Sequence, residues 1–342
     1  MNIRPTLVAA LAVAATLSAY ADIKINDNLM INGYAAGAWE YQKVKSLPGT
    51  DSLFDGTKDT PSADALKTAF NLTFKPVTGV VSLYYVPNLP KNELSILDAY
   101  VTYDAGGGVS VTGGKFLSYL GYEAFDTVNM TQITYGAVTV GTLGAIPAYH
   151  TGLKLDYGDK DFGYGLAVVD SVYSNTFVRG DGELSHNAGF EGYAKYTGAK
   201  DLTLWAGFAY DTANNQLLSS LHAPSPKVLT LDFWAEYKAT KDATLAAEFC
   251  NKDGGDFSKG HTWLTYLNYA CDAKTSLVFR ISGENLEGKT KTIGKNFVQY
   301  TVGPSLKLSE NLTVRAELSY YTYSSASNLD KTLYGLQGVF KF

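Results

Sequence analysis

From residue 29 to the C-terminus, apolar and polar side chains alternate with a period of two, in blocks about ten residues long. Leu312, Val314, Ala316, Leu318 and Tyr320 share one parity, and Thr313, Arg315, Glu317 and Ser319 share the other. The same split sets Leu229, Leu231, Phe233, Ala235 and Tyr237 against Thr230, Asp232, Trp234 and Glu236, and Leu277, Phe279 and Ile281 against Val278, Arg280, Ser282 and Glu284. A period of two places neighbouring side chains on opposite faces of an extended strand. Sixteen such blocks are predicted: 29–41, 65–75, 79–86, 94–103, 109–117, 149–157, 162–171, 189–197, 202–211, 228–237, 243–251, 261–271, 275–284, 297–306, 312–322 and 332–342. Strands of soluble sheets run nearer five or six residues. Tilted strands of about 9–11 residues are what a bilayer core requires.

The connections alternate as well. Short charged turns fall at 156–161, 197–201, 239–242, 271–274 and 308–311, and longer segments at 42–63, 118–148, 172–188, 212–227, 252–260, 285–296 and 323–331. Short turns at one end and long loops at the other describe an outer-membrane barrel. An open sheet would leave unpaired edges in lipid, so the sheet must close. Tyr41, Tyr103, Tyr157, Tyr210, Tyr237, Tyr300, Tyr320 and Phe342 fall near block ends, where interfacial girdles belong. The expected fold is therefore all-β, a transmembrane antiparallel β-barrel of about sixteen strands, within fourteen to eighteen.

Residues 1–21, MNIRPTLVAALAVAATLSAYA, have a basic start at Arg4, a short apolar run and an Ala19-Tyr20-Ala21 cleavage pattern. This reads as a secretory signal, leaving residues 22–342 as one barrel domain. The net charge of −5 argues against nucleic-acid binding. A mean hydropathy of −0.07 excludes a multi-helix membrane protein. Two cysteines make neither a disulfide scaffold nor a four-cysteine zinc site. In a simple hairpin Cys250 and Cys271 stand nearly a strand length apart, too far to bridge.

The last block, Thr332-Leu-Tyr-Gly-Leu-Gln-Gly-Val-Phe-Lys-Phe342, resembles the closing strand of Gram-negative outer-membrane proteins. That resemblance implies that Phe342 is read by the barrel-assembly machinery. Leu120-Gly-Tyr-Glu-Ala124, Asn129-Met-Thr-Gln132 and Ile146-Pro-Ala-Tyr-His-Thr-Gly152 are similar to a segment of the OmpL-like β-barrel porins, and Asn32-Gly-Tyr-Ala-Ala-Gly-Ala-Trp39 looks like that family's first strand. The motifs cover a small part of the chain, although the layout covers most of it. Met130 and Thr131 stand where relatives often carry Arg or Ser after the Asn. The resemblance implies a water-filled channel for passive diffusion of small hydrophilic solutes and ions, in contact with outer-membrane lipids. A non-conducting structural or adhesive barrel, or an outer-membrane lipase, are the competing readings.

If the barrel is a pore, its polar parity carries the chemistry. Cationic candidates are Lys67, Lys115, Lys154, Lys195, Arg280 and Arg315. Anionic candidates are Glu40, Asp98, Asp156, Glu191, Asp232, Glu236, Glu248, Glu284 and Glu317. The bland reading is that these groups only solvate the lumen and pair with one another. The segment 118–148 holds Ile133, Tyr135, Val138, Val140, Leu143 and Ile146, too apolar for an exposed loop. General sixteen-stranded porins fold the loop at this position into the lumen, and the resemblance implies the same here. Gly152, Gly163, Gly165 and Ala167 leave room for it, and Glu123 and Asp126 would face the wall across the constriction. A subunit-contact loop or an extra hairpin are the alternatives. Only Arg179, Arg280 and Arg315 follow the signal, so no arginine ladder can form and weak selectivity is expected. His150, His186, His222 and His261 show no metal-site spacing, and neither metal nor cofactor is expected. Ser282 and His261 are the nearest thing to a lipase pair. Gly33, Ala35 and Gly37 on one parity would permit a homotrimer.

Overall fold

The computed structural model describes residues 22–45, 51–52, 62–85, 94–173, 188–212, 227–256, 258–324 and 329–342. The expected signal at 1–21, most of segments 42–63, 172–188 and 212–227, and Arg179, His186 and His222 lie outside the described residues. Sixteen long strands follow in chain order: β1 (Leu29–Val44), β2 (Ser62–Phe74), β3 (Val77–Tyr85), β4 (Leu94–Gly106), β5 (Val109–Leu117), β6 (Tyr149–Gly158), β7 (Phe162–Val169) and β8 (Gly189–Tyr196). Then come β9 (Leu202–Asp211), β10 (Val228–Lys238), β11 (Ala243–Asp253), β12 (Lys259–Ala270), β13 (Thr275–Leu286), β14 (Phe297–Lys307), β15 (Leu312–Tyr323) and β16 (Lys331–Lys341). Each pairs antiparallel with its sequence neighbour, and β16 returns to β1 with Lys331 opposite Val44 and Lys341 opposite Tyr34. The barrel is closed, so every long strand finds two partners and no edge meets lipid.

Phe342 completes the seam. Its carbonyl accepts from Gly33 N–H at 2.7 Å, and its N–H donates to Gly33 O at 3.0 Å. Glycine is required at 33 because a Cβ there would stand 2.1 Å from Lys67 O. Short turns reuse one device at one end of the barrel. A side-chain oxygen accepts the two N–H groups that start the next strand: Asp159 at Asp161 and Phe162, Thr240 at Asp242 and Ala243, Asp272 at Lys274 and Thr275, and Ser309 at Asn311 and Leu312. The turn after β4 uses Gly106, Gly107 and Gly108, all at positive φ.

The hydrophobic distribution is inverted relative to a soluble protein. Leu166 is 63% exposed on the outer wall, while Asp232 is 0% and Arg280 1% exposed inside. Outward Tyr103, Tyr157, Tyr237, Tyr300 and Tyr320 sit toward strand ends, and Tyr157, Tyr164 and Phe162 stack in a row. Cys250 is buried on the inner face and Cys271 exposed at a short turn; both are free thiols. Replacing outward Phe233, at the middle of β10, with Lys puts an ammonium in the hydrocarbon layer. The expected loss is about 2–4 kcal/mol, read from urea unfolding of the protein refolded in lipid vesicles.

Candidate functional site: the lumen and its inner loop

Residues 118–148 fold into the barrel. Apart from a 3₁₀ turn at Thr127–Asn129 and one turn of helix, α1 (Ala137–Val140), the segment has no regular structure. Its buried N–H and C=O groups therefore need partners on the wall. Ile133, Val138 and Leu143 are buried against the inner face, which accounts for the apolar sequence of this loop.

The wall carboxylates supply acceptors. Glu191 on β8 takes Ser118 Oγ–H at 2.6 Å and Tyr119 N–H at 3.2 Å, with His150 Nε2 3.3 Å from the same carboxylate. Asp232 on β10 takes Gly121 N–H at 2.9 Å, and Glu248 on β11 takes Tyr122 N–H at 2.8 Å. Glu317 on β15 takes the N–H groups of Ile133 and Thr134 at 2.7 and 2.9 Å, and the Thr134 hydroxyl. Glu284 takes Leu143 N–H at 2.7 Å, and the Ser282 hydroxyl takes Ala137 N–H at 3.1 Å. The Tyr119 and Tyr122 hydroxyls donate to Asp156 and Glu236. Burial, followed by those carboxylate charges, pushes both phenols well up from their ordinary range, so they remain donors.

The cations serve the loop's carbonyls. Arg280 donates to Thr134 O at 2.6 Å, Arg315 to Thr127 O at 2.8 Å, and Lys252 to Gly144 O at 2.8 Å. Arg280 also holds Glu123 Oε1 at 2.6 Å, with side chains 0% and 2% exposed. Asp126, on the opposite side of the loop, meets Lys67 Nζ at 3.0 Å, and Lys67 is also 3.0 Å from Asp98. Both loop carboxylates thus reach the wall, Glu123 at β13 and Asp126 at β2. Aromatic contacts fill the remaining space: Tyr193, Trp205 and Trp234 lie nearly parallel on β8–β10, and Tyr122 packs edge-on against Trp234. The room comes from small residues, since a Cβ on Gly165 would sit 2.2 Å from the Tyr193 ring.

Three sequence expectations change. Lys115 is on the outward parity: it pairs with Thr151 and Ala99, and its ammonium donates to Ile96 O. Gly113 and Gly114 erase the alternation there, and Phe116, its neighbour, turns inward to meet the loop's aromatics. The long lysine stem can carry its charge toward the rim. Ser282 and His261 occupy opposite faces of the wall, Ser282 buried inside and His261 on the parity of outward Trp263 and Thr265, so they cannot act as a pair. Most of the inward ionisable groups form the loop's hydrogen-bond sockets, where the bland reading had them pairing with one another. Lys154 and Lys195 do face inward; Lys154 lies over the Phe116 and Tyr119 rings at 4.9 and 5.2 Å. Sequence reasoning missed Lys252, Tyr173 and Asp211. Asp211 binds the inward turn after β7 through Val172 and Tyr173 N–H, and Tyr173 donates to Ala145 O. Asp211 and Lys252 continue the inward parity of β9 and β11, but parity alone does not say which turn or loop each will hold.

In Arg280→Met the Glu123 carboxylate would keep its hydrogen bonds from Gln132 Nε2 and Gly136 N–H but lose its cationic partner in a dry site. Loss of about 3–5 kcal/mol is expected, read as the urea midpoint of the refolded barrel, and Glu123→Gln on the same background should restore part of it.

A family model described as "Putative beta-barrel porin-2, OmpL-like" matches residues 40–342. No curated protein is detectably similar in sequence. Among solved structures, the barrel is similar to OmpF of Salmonella typhi in complex with daunomycin (13% identity, 94% of this chain and 100% of that one, TM-score 0.68). It is similar to an anion-selective porin from Comamonas acidovorans (12% identity, 92% and 99% covered, TM-score 0.67) and to the outer membrane channel DcaP of Acinetobacter baumannii (11%, 94% and 99%, TM-score 0.65). At these identities the structures share the fold alone. The family match, by contrast, spans nearly the whole described barrel, and the chain belongs to the beta-barrel porin-2, OmpL-like family.

Proposed function

We propose that this porin is a water-filled channel of the Gram-negative outer membrane, without enzymatic activity, that passes small hydrophilic solutes and ions by passive diffusion. What supports the reading most is the inner loop: a segment held across the lumen by wall side chains at fixed positions sets a size limit without closing chemistry around any one solute. The wall charges named above then bias which ions enter. Export by the signal at 1–21 and recognition of Phe342 by the assembly machinery complete this reading. A homotrimer is proposed with it, on the Gly/Ala-rich face of β1; OmpT of Vibrio cholerae, another structural neighbour, has a trimer form.

A second reading has one specific observation behind it. The loop touches the wall on β2, on β8 to β15 and at its own root, which would also suit a non-conducting barrel whose outer loops bind a partner. Single-channel recording of the refolded protein in a planar bilayer separates the two. Stable conductance steps are expected. Silence from a protein that migrates as folded on an unheated gel would overturn the channel reading.

A further inference from the structure

The ionic contacts of the loop divide by their access to water. Glu123 and Arg280 are dry, at 2% and 0% side-chain exposure. Lys67, Asp98 and Asp126 are not, at 10%, 13% and 22%. This second cluster is built by a bulge between Val81 and Leu83, which turns Asp98 inward to accept Ser82 Oγ–H at 2.6 Å. Asp126 is delivered to the same place by the loop, just ahead of its 3₁₀ turn. Both Oδ atoms of Asp126 lie 3.0 Å from Lys67 Nζ. The partly wet cluster at the level of the loop thus sets two carboxylates around one ammonium.

We infer that this cluster makes the constriction cation-preferring, with Asp98 and Asp126 as the groups that set the preference. The inference rests on the channel reading and names the solute class that the channel favours. A permeating ion interacts most with charges that water already reaches, and the surplus there is negative. The dry shell acts in the same direction. The five carboxylates that hold the loop, Glu191, Asp232, Glu248, Glu284 and Glu317, outnumber the three cations Lys252, Arg280 and Arg315. Nearer the short turns, Lys154 is covered by two aromatic rings and faces Asp156 on its own strand, and the opposing positive groups, Lys195, Lys238, Lys307 and Lys341, lie on the inward parity at the strand ends. Lys195 is the second-last residue of β8, beside the short turn that follows that strand.

The test is the reversal potential of the full refolded chain in a planar bilayer under a KCl gradient at low ionic strength. The wild type should favour K⁺ over Cl⁻. Asp98→Asn and Asp126→Asn should each lower that ratio about twofold, the effect of one unit charge near the ion path after screening, and Lys67→Met should raise it. Lys115→Met, on the outer wall, should leave it unchanged. All of these differences should shrink in molar KCl, where the screening length falls to about 3 Å. Two aspartates are offered so that the failure of one variant to fold leaves the other to decide, with unheated-gel migration as the check. A preference for Cl⁻, or an unchanged ratio in both folded aspartate variants, overturns the inference while leaving the channel intact. A folded wild type that never conducts overturns the channel reading, and the inference falls with it.

Discussion

A buried loop without regular structure must find partners for its own backbone, and that constraint organises the inside of this barrel. Residues 118–148 bring N–H groups into a space from which the loop itself excludes much of the water. Helix or sheet would have satisfied them locally, but the segment forms only two single turns. The acceptors are instead placed on strands far away in sequence: Glu191, Asp232, Glu248, Glu284 and Glu317. A charged acceptor makes a stronger hydrogen bond than a neutral one, and several N–H donors around a carboxylate compensate its loss of water. Glu317 shows the arrangement at its fullest, taking two loop N–H groups and a loop hydroxyl.

This arrangement explains why the sequence was readable in one direction and opaque in another. Alternation placed all sixteen strands, because a wall with lipid outside and a polar interior enforces one parity along its length. The apolar Ile133, Val138 and Leu143 marked segment 118–148 as a loop that packs against something, and the porin resemblance implied that it folds inward, where these residues are buried. Alternation failed where the enforcing contrast vanishes. Gly113 and Gly114 carry no side chain to sort, and Lys115 was assigned to the lumen by its charge although register sends it outward. The partnership of Glu123 with Arg280 crosses 157 residues, and nothing local in either stretch announces it. The inner loop's partners are a property of closure, which exists only once β16 has met β1.

The same contrast separates the two roles of polar groups in the lumen. A carboxylate fully engaged by N–H donors is a structural element: its charge contributes to the field, but no ion can displace its partners without unseating the loop. A carboxylate that keeps some contact with water, as Asp126 does, can exchange part of its coordination with a passing ion at little cost. A count of lumen charges therefore says less than their exposure. The sequence supplies the count, and only the folded loop decides which charges are wet.

The scarcity of arginine then has a physical reason. Guanidinium offers donors and no acceptor, so on this wall it can serve oxygen acceptors but none of the loop's N–H groups. Arg280 and Arg315 do so, each on a carbonyl beside the loop's turns, and Lys252 does the same at Leu143 and Gly144. A ladder of further arginines would have placed donors opposite the N–H groups of residues 119, 121, 122, 133, 134 and 143, leaving both sides unsatisfied. The loop's backbone selects carboxylates along most of its path, and the negative interior follows from how the loop is held before any requirement of permeation is considered.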